Sequence, residues 1–267
     1  MSDATRKFTW LVRLGYAARG LVYLILGYLA LAAAAQVKKG GTAAFEVLRG
    51  VPLGTLVLWA VAVGLLAYAL FKAISALADI ENHGTGWKGT GKRIGSAASA
   101  IAHTILAYAA FQYARGSKQS GSTGSDGGRD MAGSVLELPL GELAVGLVGL
   151  GFLLGAALQA KNAITAGFLK HIAADAPAVI EPLGRIGHTA RFAVFAIIGW
   201  SLAQAAWLDN EAAVKGLGEA ILSMRDLGSS LYTISAAGLL CFGLFSLIVS
   251  RFRIIPELHT SDLKRNW

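Results

Sequence analysis

The sequence contains little charge. Asp, Glu, Lys and Arg make up 15% of its 267 residues, whereas ordinary soluble domains hold about 25%. A soluble fold of this size needs charged side chains on its surface, so the shortage argues against a water-soluble globule. Hydrophobic residues reach 55%, which is typical of a chain whose helices present apolar side chains to lipid.

Other absences narrow the function. One cysteine, Cys241, excludes an intramolecular disulfide. The five histidines are scattered without the spacing of metal ligands, so we expect no metal and no cofactor. The sequence has no phosphate-cradling glycine-rich loop with lysine, no zinc-protease helix and no nucleophile elbow. We therefore expect a protein that is not an enzyme.

Six stretches without Asp, Glu, Lys or Arg approach the length of a membrane span, which is about 20 residues with a range of roughly 17–25. They are Gly20–Val37, Gly50–Phe71, Ile94–Ala114, Leu143–Ala160, Phe192–Leu208 and Leu227–Ser250. Backbone amides find no water in lipid, so each stretch is predicted to be an α-helix. None of them holds the deep carboxylate that ion-coupled transporters use.

A phrase of arginine, aliphatic residue and glycine opens the first helix of three internal repeats, which we place at residues 10–81, 90–162 and 183–253. Each second helix starts at a Leu-Gly pair, and another glycine follows ten residues later. The first apolar run resembles a signal peptide, but the same phrase recurs in mid-chain, which favours a retained helix. The glycines predicted to pack helices are Gly15, Gly54, Gly64, Gly95, Gly141, Gly151, Gly155, Gly187, Gly228 and Gly238.

The repeats predict the architecture and the orientation. Every repeat crosses twice, so three parallel hairpins enter one membrane domain from the same side, and a pseudo-threefold ring about the membrane normal is the simplest packing. A linear row is the alternative. The N-terminal side carries 16 Lys and Arg and the opposite side carries 8, so both termini are predicted to be cytoplasmic. This asymmetry explains the net charge of +8 without nucleic-acid binding.

The triplicated Arg-x-Gly-x-x-Ala opening, the Leu-Gly starts and the closing Arg251-Phe252-Arg253 resemble a bacterial membrane family, the domain of unknown function 1206 (DUF1206). The resemblance covers residues 10–255 and implies a six-helix protein of the bacterial inner membrane with no established activity. In the middle repeat Ser99 replaces the arginine of the outer repeats.

Two connecting segments and the C-terminal tail are interpreted from their composition. The stretch Gly116–Gly133 is rich in glycine and serine and is predicted to be a flexible outer loop. The stretch Asn162–Ile180 has apolar residues near helical spacing and is predicted to be an interfacial amphipathic helix, which we place at 163–182 of the domain. The tail arginines of the closing motif are expected to snorkel to lipid headgroups.

The candidate ligand or lipid-binding residues are Arg13, Arg19, Arg93, Arg185, Arg191 and His103. Arg19 and Arg191 each follow their glycine by four residues, share its helix face and are predicted one turn inside the membrane. They serve either as snorkelling anchors for lipid phosphate, as the basic rim of a vestibule for an anionic solute, or as structural contacts to helix-end carbonyls. His103 matches Tyr23 and Phe195 in the other repeats, which favours packing over proton relay.

These observations predict a non-enzymatic membrane module that binds lipid or another membrane protein as a scaffold, accessory or regulator. Its expected partners are anionic lipid headgroups on the cytoplasmic face, with another membrane protein or a second copy as alternatives. The alternative function is a passive channel or small transporter for an anionic solute. A lipid-modifying enzyme ranks third.

Overall fold

The computed structural model describes residues 3–32, 49–50, 53–80, 84, 86–116 and 132–255. The outer loop Gly116–Gly133 and parts of the first two predicted windows lie largely outside these residues. Within the described residues the structure is helical, with two 3-10 helices, Gly167–His171 and Glu211–Ala213, and one isolated β-bridge. Its long helices are α1 (Asp3–Ala32), α2 (Gly54–Ala78), α3 (Trp87–Ala114), α4 (Gly141–Thr165), α5 (Ile180–Leu208), α6 (Leu217–Leu227) and α7 (Ser229–Phe252).

Six of these helices, all except α6, are long and apolar enough to cross a membrane, which confirms the predicted number of spans. The first helix of each repeat starts earlier than its charge-free window, because the helix continues through the charged residues that limited the window. Arg19 therefore lies near the middle of α1, about 24 Å from Asp3 at 1.5 Å per residue.

The Leu-Gly pairs mark the starts of the second helices, as predicted. α2 begins at Gly54 and α4 at Gly141, each after a leucine in the left-handed region, with φ of 60° at Leu53 and 65° at Leu140. In the third repeat Gly228 itself has φ of 145°, and α7 begins at the next residue. A residue with positive φ cannot belong to a right-handed α-helix, so each helix begins at the residue that follows it.

The second helix of each repeat packs against the first helix of the next repeat. The pairs are α2 with α3, α4 with α5, and α7 with α1. Glycines bring the backbones of the last two pairs close: a Cβ added at Gly199 would lie 2.9 Å from the Gly149 carbonyl oxygen, and one at Gly243 would lie 2.9 Å from the Gly20 carbonyl oxygen. Close approach through small residues is how helices associate in lipid.

In the first and third repeats the two helices of the hairpin also pack against each other. A Cβ added at Gly15 would lie 2.7 Å from the Cβ of Tyr68, and one at Gly187 would lie 2.7 Å from the Cβ of Phe242. Each of these aromatic residues follows the glycine of its Leu-Gly pair by the same number of residues. The outer repeats are thus built alike, and both glycines of the opening phrase pack as predicted.

The hairpin of the middle repeat is open, unlike the hairpins of the outer repeats. Among the described residues, helices α3 and α4 do not form a packed pair, and a Cβ added at Gly95 or Gly151 would meet no atom within 4 Å. The sequence supplies the reason. Ser99 stands where the outer repeats have an arginine, and Gly155 stands where they have an aromatic residue, so no large side chain bridges the two helices.

We call the gap between α3 and α4 the seam; Gly95, Ala98 and Gly151 border it. The six spans follow one another in the order α3, α2, α1, α7, α5, α4, with each neighbouring pair packed and the seam at the ends. The contacts between spans occur in the order expected for a ring, but the contact between α3 and α4 is missing. The arrangement therefore has features of both the predicted ring and the predicted row. Full threefold symmetry is not confirmed.

The predicted amphipathic helix over Asn162–Ile180 is not formed in this described part of the chain. Helix α4 continues to Thr165, a 3-10 turn follows at Gly167–His171, and Ile172 then forms an antiparallel bridge with Arg253 in the tail. The side chain of Phe168 fills the space beside Gly184. The segment therefore folds inward onto the N-terminal side of the bundle instead of lying along the membrane surface as a helix.

Candidate functional site

Arg19 of α1 joins three helices. Its Nη1 donates a hydrogen bond to the Tyr68 hydroxyl of α2 at 2.8 Å, and its Nη2 donates to Ser246 Oγ of α7 at 3.2 Å. Because Gly15 packs on the backbone of Tyr68, the glycine and the arginine of the opening phrase use the same helix face, as their spacing predicted.

Aromatic rings surround the guanidinium of Arg19. Its Cζ lies 4.6 Å from the ring centroid of Tyr16, 5.0 Å from that of Tyr68 and 5.2 Å from that of Phe242. A cation over an aromatic face gains about 0.5–1 kcal/mol when exposed and about 2 kcal/mol when desolvated. These rings explain how an arginine is held near the middle of a long apolar helix.

Arg191 of α5 occupies the position of Arg19 in the third repeat, and its guanidinium approaches one of the same aromatic rings. Its Cζ lies 5.6 Å from the ring centroid of Tyr23, 4.8 Å from that of Phe195 and 4.6 Å from that of Phe242. Both arginines therefore face the ring of Phe242, which places their Cζ atoms within about 10 Å of each other. We call Arg19, Arg191 and the rings around them the arginine centre.

The arginine centre is positively charged, and among the described residues no carboxylate forms an ion pair with Arg19 or Arg191; the ion pair between Arg185 and Glu181 lies elsewhere. The Nε atoms of Arg19 and Arg191 are buried without a hydrogen-bond partner, while both side chains keep part of their surface accessible. Two like charges about 10 Å apart repel by about 2 kcal/mol at an effective dielectric constant of about 20. An anion between them would reverse the sign of this term.

A third arginine approaches the same side of the bundle from the tail. The Cζ of Arg253 lies 5.1 Å from the ring centroid of Tyr16 and 5.7 Å from that of Phe71. The expectation that the tail arginines snorkel is therefore wrong for Arg253. The bridge to Ile172 holds the backbone of this residue against the bundle, so its side chain turns inward.

His103 of α3 borders the arginine centre. Its ring centroid lies 4.5 Å from that of Tyr68, and its Nδ1 lies 2.7 Å from the Ser99 carbonyl oxygen. The matching residues Tyr23 and Phe195 both face Arg191. All three repeats thus direct this position to the interior, in agreement with a packing role.

Arg93 and Arg185 lie elsewhere and bind the ends of helices. Arg93 donates from Nε to the Ala76 carbonyl at 2.7 Å and from Nη2 to the Leu77 carbonyl at 3.0 Å. Arg185 donates from Nη1 to the Ala163 carbonyl at 2.9 Å. These carbonyls belong to the last turns of α2 and α4, which have no partners within their own helix. Each arginine therefore joins its repeat to the one before it.

Arg13 opens the first copy of the same phrase. Its Cζ lies 5.9 Å from the ring centroid of Trp10, and its buried Nε has no hydrogen-bond partner. Of the six candidate residues, the structure brings Arg19, Arg191 and His103 together, whereas Arg13, Arg93 and Arg185 are engaged with other groups.

A second histidine, His188, lies at the N-terminal side of the arginine centre. Its Nδ1 is hydrogen-bonded to Gln159 of α4, and its ring stacks on Phe168 at a centroid distance of 5.2 Å. Its Nε2 is buried without a partner. No group of three or more His, Cys, Asp or Glu residues that could hold a metal is found in the described ranges.

Sequence reasoning named Tyr23 and Phe195 only as repeat partners of His103, and it missed Tyr16, Tyr68, Phe242 and Ser246. A signal for two of them was present: Tyr68 and Phe242 occupy the same position of their repeats, and the middle repeat has Gly155 there. The repeats that keep the arginine also keep the ring, which pairs the two residue types. Ser246 gave no comparable signal.

The comparisons with known proteins agree with the repeat. The family model of the Domain of Unknown Function (DUF1206) matches three segments of the chain, residues 14–79, 94–166 and 186–253. The chain is also 30% identical over 245 residues to the Uncharacterized protein YxxB of Bacillus subtilis (strain 168), which covers 88% of each protein. No solved structure matches.

Proposed function

The chain belongs to the DUF1206 family, whose description assigns no activity, and we propose that it is a non-enzymatic membrane module that binds a phosphate-bearing anion at Arg19 and Arg191. The observation that carries the proposal is the arginine centre itself. Two guanidinium groups from different repeats face one ring, Phe242, and neither has a carboxylate partner among the described residues.

The residues of the centre divide the task of binding. Tyr68 and Ser246 orient Arg19 through hydrogen bonds, and the rings around both arginines lower the cost of holding the charges away from water. Arginine suits this ligand because its planar donors match phosphate oxygens in pairs. The ligand would supply the missing negative charge.

The proposal includes an orientation. Both termini lie in the cytoplasm of a bacterial cell, which the excess of 16 over 8 basic residues supports. The binding site would then be reached from the inner leaflet or the cytoplasm, where anionic lipids and free phosphate both occur.

Ligand-dependent stability tests the proposal. Wild type in micelles of an uncharged detergent is unfolded with and without inorganic phosphate or phosphatidylglycerol. A ligand at 100 times its Kd stabilises the folded protein by about 2.7 kcal/mol. Stabilisation by phosphatidylglycerol alone identifies a lipid headgroup, and stabilisation by both identifies the phosphate group as sufficient.

The variants R19Q and R191Q should lose at least tenfold in affinity for the stabilising ligand. Arg225→Gln removes the same charge from an exposed residue of α6 and serves as the matched control, with an affinity within twofold of wild type. Absence of stabilisation in wild type, or equal loss in all three variants, would refute the proposal.

A second candidate function is passive conduction of an anionic solute. It is favoured by the position of Arg19 near the middle of α1, since a charge within a membrane helix is by default a candidate for a functional site such as an ion pathway. Proteoliposomes should then release phosphate or chloride at a rate that Arg191→Ala abolishes. Liposomes that stay tight with wild-type protein would leave the binding module as the function.

A further inference from the structure

We infer that the ligand is a membrane phospholipid that enters sideways through the seam between α3 and α4, with its phosphate at the arginine centre and an acyl chain along the seam. This inference rests on the proposed function and names its ligand class and route of entry.

The seam is a site where the repeat would have closed but does not. In the first repeat a Cβ added at Gly64 would lie 2.6 Å from the Ala18 Cβ, and in the third repeat Gly238 and Ala190 make the same contact. The matching residues of the middle repeat are Gly151 and Ala98. Gly151 has no atom within 4 Å of an added Cβ, and Ala98 is exposed.

Each of the two helices that border the seam is connected to the arginine centre by one contact between rings. On α3, the ring of His103 lies 4.5 Å from Tyr68, the hydrogen-bond partner of Arg19. On α4, the ring of Phe152 lies 5.5 Å from that of Phe195, which faces Arg191. A single ring contact therefore links each of these two helices to the residues around an arginine.

A ligand that occupies both the seam and the arginine centre must be amphiphilic. The seam opens toward lipid between helices that carry no Asp, Glu, Lys or Arg over residues 94–114 and 143–160, so it offers a hydrated anion no charged contact on entry. An acyl chain fits such borders without a desolvation penalty. The centre, in contrast, needs negative charge, and a phospholipid supplies both.

Photocrosslinking tests the route. A phosphatidylglycerol with a diazirine in one acyl chain is added to the full-length protein in nanodiscs and irradiated, and the modified peptides are identified by mass spectrometry. We expect crosslinks concentrated on the peptides that contain Ala98 and Gly151. The variant G151W should reduce this crosslinking at least fivefold by filling the seam, because the added side chain meets no protein atom at its Cβ.

The neighbouring variant L150W places the same ring on a lipid-exposed residue of the same helix and should stay within twofold of wild type. A98W fills the seam from α3 and repeats the test if G151W does not fold. Crosslinks spread evenly around the bundle, or unchanged when the seam is filled, overturn the lateral route.

The outcomes separate this inference from the proposed function. Filling the seam leaves the arginines in place. If stabilisation by phosphate or by the lipid headgroup depends on Arg191, but G151W has no effect on lipid crosslinking, only the lateral route is refuted. Loss of all ligand-dependent stabilisation in wild type refutes the binding function, and the route with it.

Discussion

Alanine at one repeat position should have opposite effects in two repeats. Gly238 and Gly151 occupy the same position of their helices, but a Cβ at Gly238 would lie 2.5 Å from the Ala190 Cβ, whereas one at Gly151 would meet nothing within 4 Å. Ala190 has no flexible side chain that could move away, so the whole helix must shift. Overpacking of this kind costs about 1–3 kcal/mol.

Glycine in the middle of a helix is about 0.5–1 kcal/mol less stable than alanine, so Gly151→Ala should be neutral or stabilising. The same gain applies to Gly238→Ala and cancels in the comparison, so we expect the two variants to differ by about 1–3 kcal/mol in free energy of unfolding, with Gly238→Ala the less stable. The measurement is unfolding in mixed micelles with increasing SDS, followed by circular dichroism. Equal destabilisation by both variants would mean that the middle repeat is closed and that the seam does not exist.

Three further predictions use single variants. Tyr68→Phe removes the acceptor for one guanidinium and should lower the free energy of unfolding by about 1.5–3 kcal/mol; no change in the same SDS titration would contradict this hydrogen bond. Arg185→Gln should cost about 1 kcal/mol because helix-end carbonyls lose their donor, whereas Arg225→Gln should stay within about 0.5 kcal/mol, and equal effects would refute the bracing role. In a Cys241→Ala background, a cysteine at Ser122 should react with an impermeant maleimide outside intact cells; labelling only after lysis would reverse the orientation.

The sequence was sufficient for the number of spans and for the starts of the second helices, because both follow from local chemistry. Absence of charge marks a span, and the Leu-Gly pair marks the turn before it. The helix ends were harder to predict. A charge-free window stops at Arg19, but the helix continues, because rings from other helices stabilise that charge.

Part of the arginine centre was also within reach of the sequence. Arg19 and Arg191 were selected by their repeat position, and the open middle repeat follows from Ser99 and Gly155, which replace an arginine and an aromatic residue. The structural effect of these substitutions can be recognised only when the repeats are aligned with each other over both helices.

Contacts between distant segments were out of reach. The amphipathic pattern after Asn162 predicted a surface helix, but the segment pairs with the tail through Ile172 and Arg253, and no local pattern announces a partner so far along the chain. For the same reason Arg93 and Arg185 were grouped with ligand candidates, although the carbonyls they bind belong to the preceding repeat.

The hydrogen bond between Arg19 and Ser246 links residues 227 positions apart, and this has a consequence for biogenesis. Ribosomes add about 5–20 residues per second, so α1 waits on the order of 10–45 s in the bilayer before α7 is synthesised. During that interval its arginine lacks both Ser246 and the Phe242 ring, and α1 has the lowest mean hydropathy of the six spans. The nascent chain therefore depends on the insertion machinery, on α2 or on lipid phosphate to hold its first span in place.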